Sequence, residues 1–181
     1  MSKSNDHNSP LGAGGKTLIL VRHAKSDWGD PSLDDFDRPL NDRGKRDAPV
    51  MAHRLLDKSI KIDAFIASPA KRARKTAAIF AAAYKKEKDD IISRDELYGA
   101  GEPVFFDVVA TADNKFDSIA IFSHNPGITD FANLLTGTRI DNIPTCGVFA
   151  VKADCSTWKD FATARKEFWF FDYPKAGLEE R

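Results

Sequence analysis

The first strongly apolar stretch of the chain, Thr17-Leu18-Ile19-Leu20-Val21, ends abruptly on Arg22-His23-Ala24. Apolar side chains at successive positions, rather than at every second one, predict a strand covered on both faces, as in a parallel sheet. Two further runs share this form. Asp63-Ala64-Phe65-Ile66-Ala67 leads into Ser68-Pro69-Ala70-Lys71-Arg72, and Ser118-Ile119-Ala120-Ile121-Phe122 leads into Ser123-His124-Asn125-Pro126-Gly127. Between the first two runs the period lengthens. Ala48, Met51, Ala52, Leu55 and Leu56 fall on one face of a helix that Asn41 or Asp42 can cap. Pro49 predicts a kink there, or a restart with Asp47 as the cap.

Ala73, Thr76, Ala77, Phe80, Ala81 and Tyr84 trace a second helical face, Ile91-Ile92 is a short strand at best, and Pro103 opens a helix reaching about Ala112. Residues 127–135 read as helix, and 148–151 and 167–171 as two last strands, a hairpin or an antiparallel edge. Trp158, Trp169 and the phenylalanines of 168–171 are expected in the core, because an aromatic strand needs burial. Strands alternating with helices predict an α/β fold, a three-layer sandwich with a mostly parallel central sheet flanked by helices.

Composition narrows the picture. At 181 residues, 42% hydrophobic and 30% charged, the chain suits one globular domain with a single sizeable core. Lys plus Arg equals Asp plus Glu at 27 each, so no global field draws the protein to nucleic acid or membrane, and any pull on an anion is local. No stretch has the length of a membrane span. Residues 1–15 are polar and Gly-rich, without the apolar centre of a signal peptide; they read as a disordered tail before a domain over 16–181. Cys146 and Cys155 have no metal-ligand spacing and are too few for a disulfide framework, which makes the cytoplasm the expected location. Gly15-Lys16-Thr17 imitates the end of a phosphate-binding P-loop. Pro10 stands where the first Gly belongs, however, and the strand follows the motif instead of preceding it.

The chemistry collects at strand ends. In open α/β sheets, ligands bind outside the carboxyl ends of the strands. Arg22, His23, Arg72, His124 and Asn125 meet in one pocket if their strands are neighbours. Guanidinium groups match phosphate oxygens in a planar fork, and a helix beginning near Gly127 aims N–H groups at an anion. A neutral imidazole is a competent nucleophile that can carry a phosphoryl group covalently. Arg22, Arg72 and a protonated His124 then stabilise charge on the transferring group, and water cleaves phospho-His23. This scheme needs no metal and no other cofactor. Blander readings fit the remaining candidates. His7 and His53 carry no context; Lys71 and Arg74, which flank Arg72, read as a wider positive rim to the site or, in preference, as solvated helix charges. Arg38 reads as a substrate contact or as a salt bridge to the Asp-rich loop. Asp34, Asp35 and Asp37 read as solvated carboxylates rather than a metal cluster, and Cys146 as a small buried residue.

Leu20-Val21-Arg22-His23-Ala24, Ser68-Pro69-Ala70-Lys71-Arg72-Ala73 with Thr76, and Ser123-His124-Asn125-Pro126-Gly127 resemble, in this order, the motifs of the histidine phosphatase superfamily, the phosphoglycerate-mutase-like fold. Ala24 in place of the usual Gly, Arg38-Pro39-Leu40 and Leu97-Tyr98-Gly99-Ala100 are most similar to the SixA-type phosphohistidine phosphatases. The resemblance spans residues 17–173 and implies His23 as nucleophile, with Arg22, Arg72 and His124 forming the phosphate pocket. There are departures. Gly29 stands where mutases and broad-range phosphatases have Asn, and their glutamate proton donor has only Glu96, or more weakly Asp27, as a counterpart. An alkoxide leaving group needs that acid, whereas imidazole, whose conjugate acid has a pKa of about 6.5, does not. The segment between Tyr84 and Ser118 is also too short for a large lid. The expected substrate is therefore a phosphorylated protein bearing phosphohistidine, acted on by a monomer. A small phosphate ester is the alternative, favoured by any substantial apolar or basic pocket beside the site. A catalytically silent phosphate-binding module is the third.

Overall fold

The computed structural model describes residues 15–176; the tail expected over 1–15, His7 included, lies outside the described residues except for Gly15. Six strands form one sheet: β1 (Lys16–Arg22), β2 (Ala64–Ala67), β3 (Ile92–Ser93), β4 (Ser118–Ser123), β5 (Val148–Ala153) and β6 (Lys166–Asp172), in the order β3-β2-β4-β1-β5-β6. β3, β2, β4 and β1 run parallel, and β5 and β6 close the sheet antiparallel. The helices are α1 (Asp42–Asp57), α2 (Lys71–Ala83), α3 (Glu102–Ala110) and α4 (Gly127–Leu135).

The period-2 geometry of a strand explains the unbroken apolar runs. Leu18, Leu20, Ile119 and Ile121 pack with Phe105 of α3 and Phe131 of α4 in one cluster. Ile19, Val21, Ala120 and Phe122 point the other way and pack with Met51 and Leu55 of α1 and Phe80 of α2. Each face of the central strands meets a helical layer, which is the expected three-layer sandwich. Among the described residues, no helix is long and apolar enough to cross a membrane.

Two local expectations are corrected. Of the two alternatives at Pro49 the restart is the one overturned: α1 is a single helix over Asp42–Asp57, and Asp47 pairs with Arg43 at 3.2 Å inside it instead of capping a new one. The buried face of Ala48, Met51, Ala52 and Leu55, together with the Asn41 side chain accepting from Gly44 N–H at 2.9 Å, holds the helix despite the missing donor. The aromatic strand is only partly buried. β6 is an edge strand whose register shifts opposite Ala150 and Val151, leaving Trp169 unmatched, and Phe168 and Trp169 are exposed. Trp158 is fully buried as expected, and so is Cys146.

Register brings the loops together. Arg22 lies opposite Ser123, and Ala67 opposite Phe122, so β1, β2 and β4 end at one height. The ladder then continues one bond further: His23 N–H donates to the Ser123 carbonyl and Ser68 N–H to the Phe122 carbonyl, both at 3.0 Å.

Candidate active site

His23 sits just past the carboxyl end of β1, 7% exposed. Its Nδ1 is 2.8 Å from the Ala24 carbonyl, which can only accept, so Nδ1 carries the proton and Nε2 keeps a free lone pair. Arg72 Nε donates toward that lone pair at 3.3 Å. Burial pushes the His23 pKa down to about 4; the Ala24 carbonyl works against the shift, and Arg72, Arg22 and Arg38 add to it. At neutral pH His23 is an uncharged imidazole with an unprotonated Nε2, the form a nucleophile needs.

His124 faces it, with ring centroids 5.1 Å apart. Its Nε2 is 2.7 Å from Ser68 Oγ, while its Nδ1 is buried without a partner among the described residues. Burial, then His23 and Arg72, lower its pKa to about 3. In the free site His124 is therefore neutral, so the cationic form expected against a transferring phosphoryl group requires that anion beside it. The Ser68 hydroxyl can donate to or accept from Nε2; where it donates, the proton sits on Nδ1, a buried donor without a described partner that a phosphoryl oxygen would satisfy.

Arg22 Nη1 donates to the Ile143 carbonyl at 2.8 Å, and its Nε is buried without a partner. Asn125 turns to the same loop. Its Nδ2 donates to the Ile143 carbonyl at 3.2 Å and to Asn142, and its Oδ1 accepts from Thr129 at 2.6 Å. Asn125 thus braces the loop that braces Arg22. Thr76 ties the other side, accepting from Ala24 N–H at 3.0 Å and donating to the Arg72 carbonyl at 2.7 Å.

Asp35 is the residue that sequence reasoning undervalued. Its backbone carbonyl accepts from Arg72 Nη1, its Oδ2 accepts from Arg72 Nη2 at 3.0 Å and from the Tyr98 hydroxyl at 2.8 Å, and its Oδ1 pairs with Arg38 at 3.3 Å. Burial alone would raise its pKa, but the Tyr98 and Arg72 hydrogen bonds hold it below the usual carboxylate range. Arg38 makes the salt bridge to the Asp-rich loop, donates to Ser26 Oγ at 2.6 Å and stacks 3.4 Å over the Trp28 ring. The sequence signal was only a cluster of aspartates near an arginine, which does not say which carboxylate turns inward.

Neither proton-donor candidate is presented as an acid. Glu96 is exposed and bonded to Arg94 at 2.6 Å, which keeps its carboxyl below the normal range. Asp27 accepts from Gly29 N–H at 2.8 Å in an exposed turn. Among the described residues, no group of three or more His, Cys, Asp or Glu is placed to hold a metal ion. A cleft of about 220 Å³, lined by Gly99, Ala100, His124, Asn125 and Asp130 among others, opens at the start of α4.

A neutral strand-end histidine with the Arg72 guanidinium beside it, and Arg22 near enough to bear on its charge, suits the acceptance of a phosphoryl group, and comparison with known proteins agrees. Residues 18–99 match the model of the histidine phosphatase superfamily (branch 1). An uncharacterized protein of Mycobacterium tuberculosis is 31% identical over 153 residues, covering 77% of this chain and 90% of its own length. An uncharacterized chloroplastic protein of Arabidopsis thaliana is 29% identical, covering 89% and 78%. The structure assigned as phosphohistidine phosphatase SixA of Agrobacterium tumefaciens superposes with a TM-score of 0.72 at 27% identity, covering 88% of this chain and 99% of that one. The chain belongs to the histidine phosphatase superfamily. Within it, the chain falls in the SixA-type branch.

Proposed function

We propose that this phosphatase hydrolyses the N–P bond of phosphohistidine carried on a protein, through a phospho-His23 intermediate. The carrying observation is His23 itself: Nδ1 locked by Ala24, Nε2 unprotonated, and Arg72 alongside. The Nε2 lone pair attacks phosphorus, and the bond to the substrate nitrogen breaks with its electron pair going to that nitrogen. A substrate ring already carrying a proton on its other nitrogen departs as neutral imidazole, so no enzyme acid is consumed. Arg22, Arg72 and the Nδ1–H of His124 hold the equatorial oxygens. Water then attacks phosphorus, the electrons of the Nε2–P bond return to His23, and phosphate leaves.

The orientation of Glu96 toward Arg94 and the low pKa of Asp35 support an N–P bond over an alkyl ester, because neither carboxyl holds a proton for an alkoxide. The SixA protein of Agrobacterium tumefaciens supports the same substrate class. A small phosphate ester is the second reading, favoured by a basic groove beside the site. That groove is lined by none of Arg22, His23, Arg72 and His124, which separates it from the reacting group.

The test is phosphate release from a phosphohistidine-bearing protein and from 3-phosphoglycerate, side by side, with His23→Ala as blank. Preference for the N–P substrate is expected. Preference for the ester overturns the reading in favour of a metabolite phosphatase, and silence on both leaves a phosphate-binding module.

A further inference from the structure

The same groove carries a second function of the surface. It has a volume of about 440 Å³ and is lined by Phe36, Asp37, Pro69, Lys71, Arg74, Lys75, Ala78 and Lys88. Four cations thus face one carboxylate, on a chain whose net charge is zero. All four are exposed, and none forms a salt bridge to a described carboxylate. Three of them crowd the start of α2, where cations are disfavoured by the helix dipole and where no acidic residue compensates. A local arrangement that opposes its own electrostatics points to an anion from outside.

The groove adjoins the catalytic pocket at three points. Pro69 follows Ser68, the partner of His124; Lys71 precedes Arg72; and Phe36 follows Asp35, the partner of Arg72. The turn Asp35–Asp37 serves both sides: Asp35 binds Arg72, while Phe36 and Asp37 line the groove.

We propose that this groove docks an acidic segment of the protein that carries the phosphohistidine. A polypeptide continues away from its phosphorylated side chain and so reaches past the turn, delivering carboxylates to Lys71, Arg74, Lys75 and Lys88 while its phosphoryl group lies at His23. The inference rests on the protein-phosphohistidine reading above and specifies which proteins are preferred.

The experiment compares three substrates: a phosphohistidine peptide with Asp/Glu-rich flanks, the same peptide with Ser/Gly flanks, and phosphoramidate. The wild-type enzyme is expected to favour the acidic peptide over the neutral one about tenfold in kcat/KM at low salt, the sum of several weak screened contacts. High salt erases the preference. In Arg74→Glu/Lys75→Glu/Lys88→Glu, and in the milder triple Gln variant, the preference is lost while phosphoramidate turnover is unchanged, which also shows that the fold is intact. Equal rates on both peptides in the wild type, or a preference that survives in both variants, overturns the docking site. So does an equal loss on all three substrates in both variants. A wild-type enzyme inactive on both peptides but active on alkyl esters instead overturns the substrate reading itself.

Discussion

The Asp35 carboxylate lies 3.0 Å from Arg72 Nη2, on a guanidinium that also donates its Nε–H toward Nε2 of His23, the proposed nucleophile. The protein supplies its own anion to the arginine proposed to bind the phosphoryl group. Asp35 is half-exposed, so an incoming phosphate competes with it at the surface, without unburying a charge.

Removing that competitor tightens the site for anions. Asp35→Ala is expected to lower the inhibition constant of inorganic phosphate several-fold, within the range of one exposed ion pair. Unchanged or weaker inhibition by phosphate means that Asp35 organises Arg72 rather than competing for it.

The two histidines are neutral in the folded site, with pKa values near 4 and 3, against about 6.5 when unfolded. Unfolding below pH 6.5 therefore takes up protons, and stability falls as pH drops from about 6.5 toward 3. Tm is expected to decrease between pH 7 and 5, and less steeply with phosphate bound, because the anion favours a protonated His124. Their NMR signals are expected to show no titration between pH 5.5 and 8 in the free protein. A midpoint near 6.5 for either ring contradicts the desolvated site.

Glu96→Gln is expected to leave turnover of an N–P substrate within about twofold of wild type, since the carboxylate is bound to Arg94. Arg72→Ala, which removes a donor facing the reacting nitrogen, is expected to lose about 10²–10³ in rate. Side-by-side steady-state assays settle both. A large loss in Glu96→Gln would identify it as the missing acid.

Gly44 is required by a backbone approach. A Cβ there would stand 2.2 Å from the Lys25 carbonyl, two residues beyond His23. Gly44→Ala is expected to destabilise by about 1–3 kcal/mol, as overpacking does. It should also reduce kcat by displacing the 23–25 loop, whereas Gly137→Ala, where a Cβ meets nothing within 4 Å, does neither. Thermal melts and kinetics on the pair are the check.

Much of this molecule was legible in the chain. The elements followed from period: apolar runs for β1, β2 and β4, and one-sided faces for α1 and α2. The four residues Arg22, His23, Arg72 and His124 were legible because each follows a strand predicted to end at a binding crevice. Pro49 and the Phe168–Trp169 pair misled, because a helix-breaking residue and an aromatic run are local signals. A buried face overrode the first, and an edge position with a register shift overrode the second.

What the sequence determined by itself was the strand ends and the chemical types standing there, since strand periodicity and motif order are properties of the linear chain. Tertiary structure alone decided which polar groups meet. Asp35 rather than Asp34 or Asp37 reaches Arg72, Glu96 turns to Arg94, Ser68 orients His124, and the α2 cations line a groove instead of simply facing solvent. Hydrogen bonds depend on distances of a few tenths of an ångström, and desolvation depends on everything packed around a group. Neither quantity exists until the loops are held together by a common sheet.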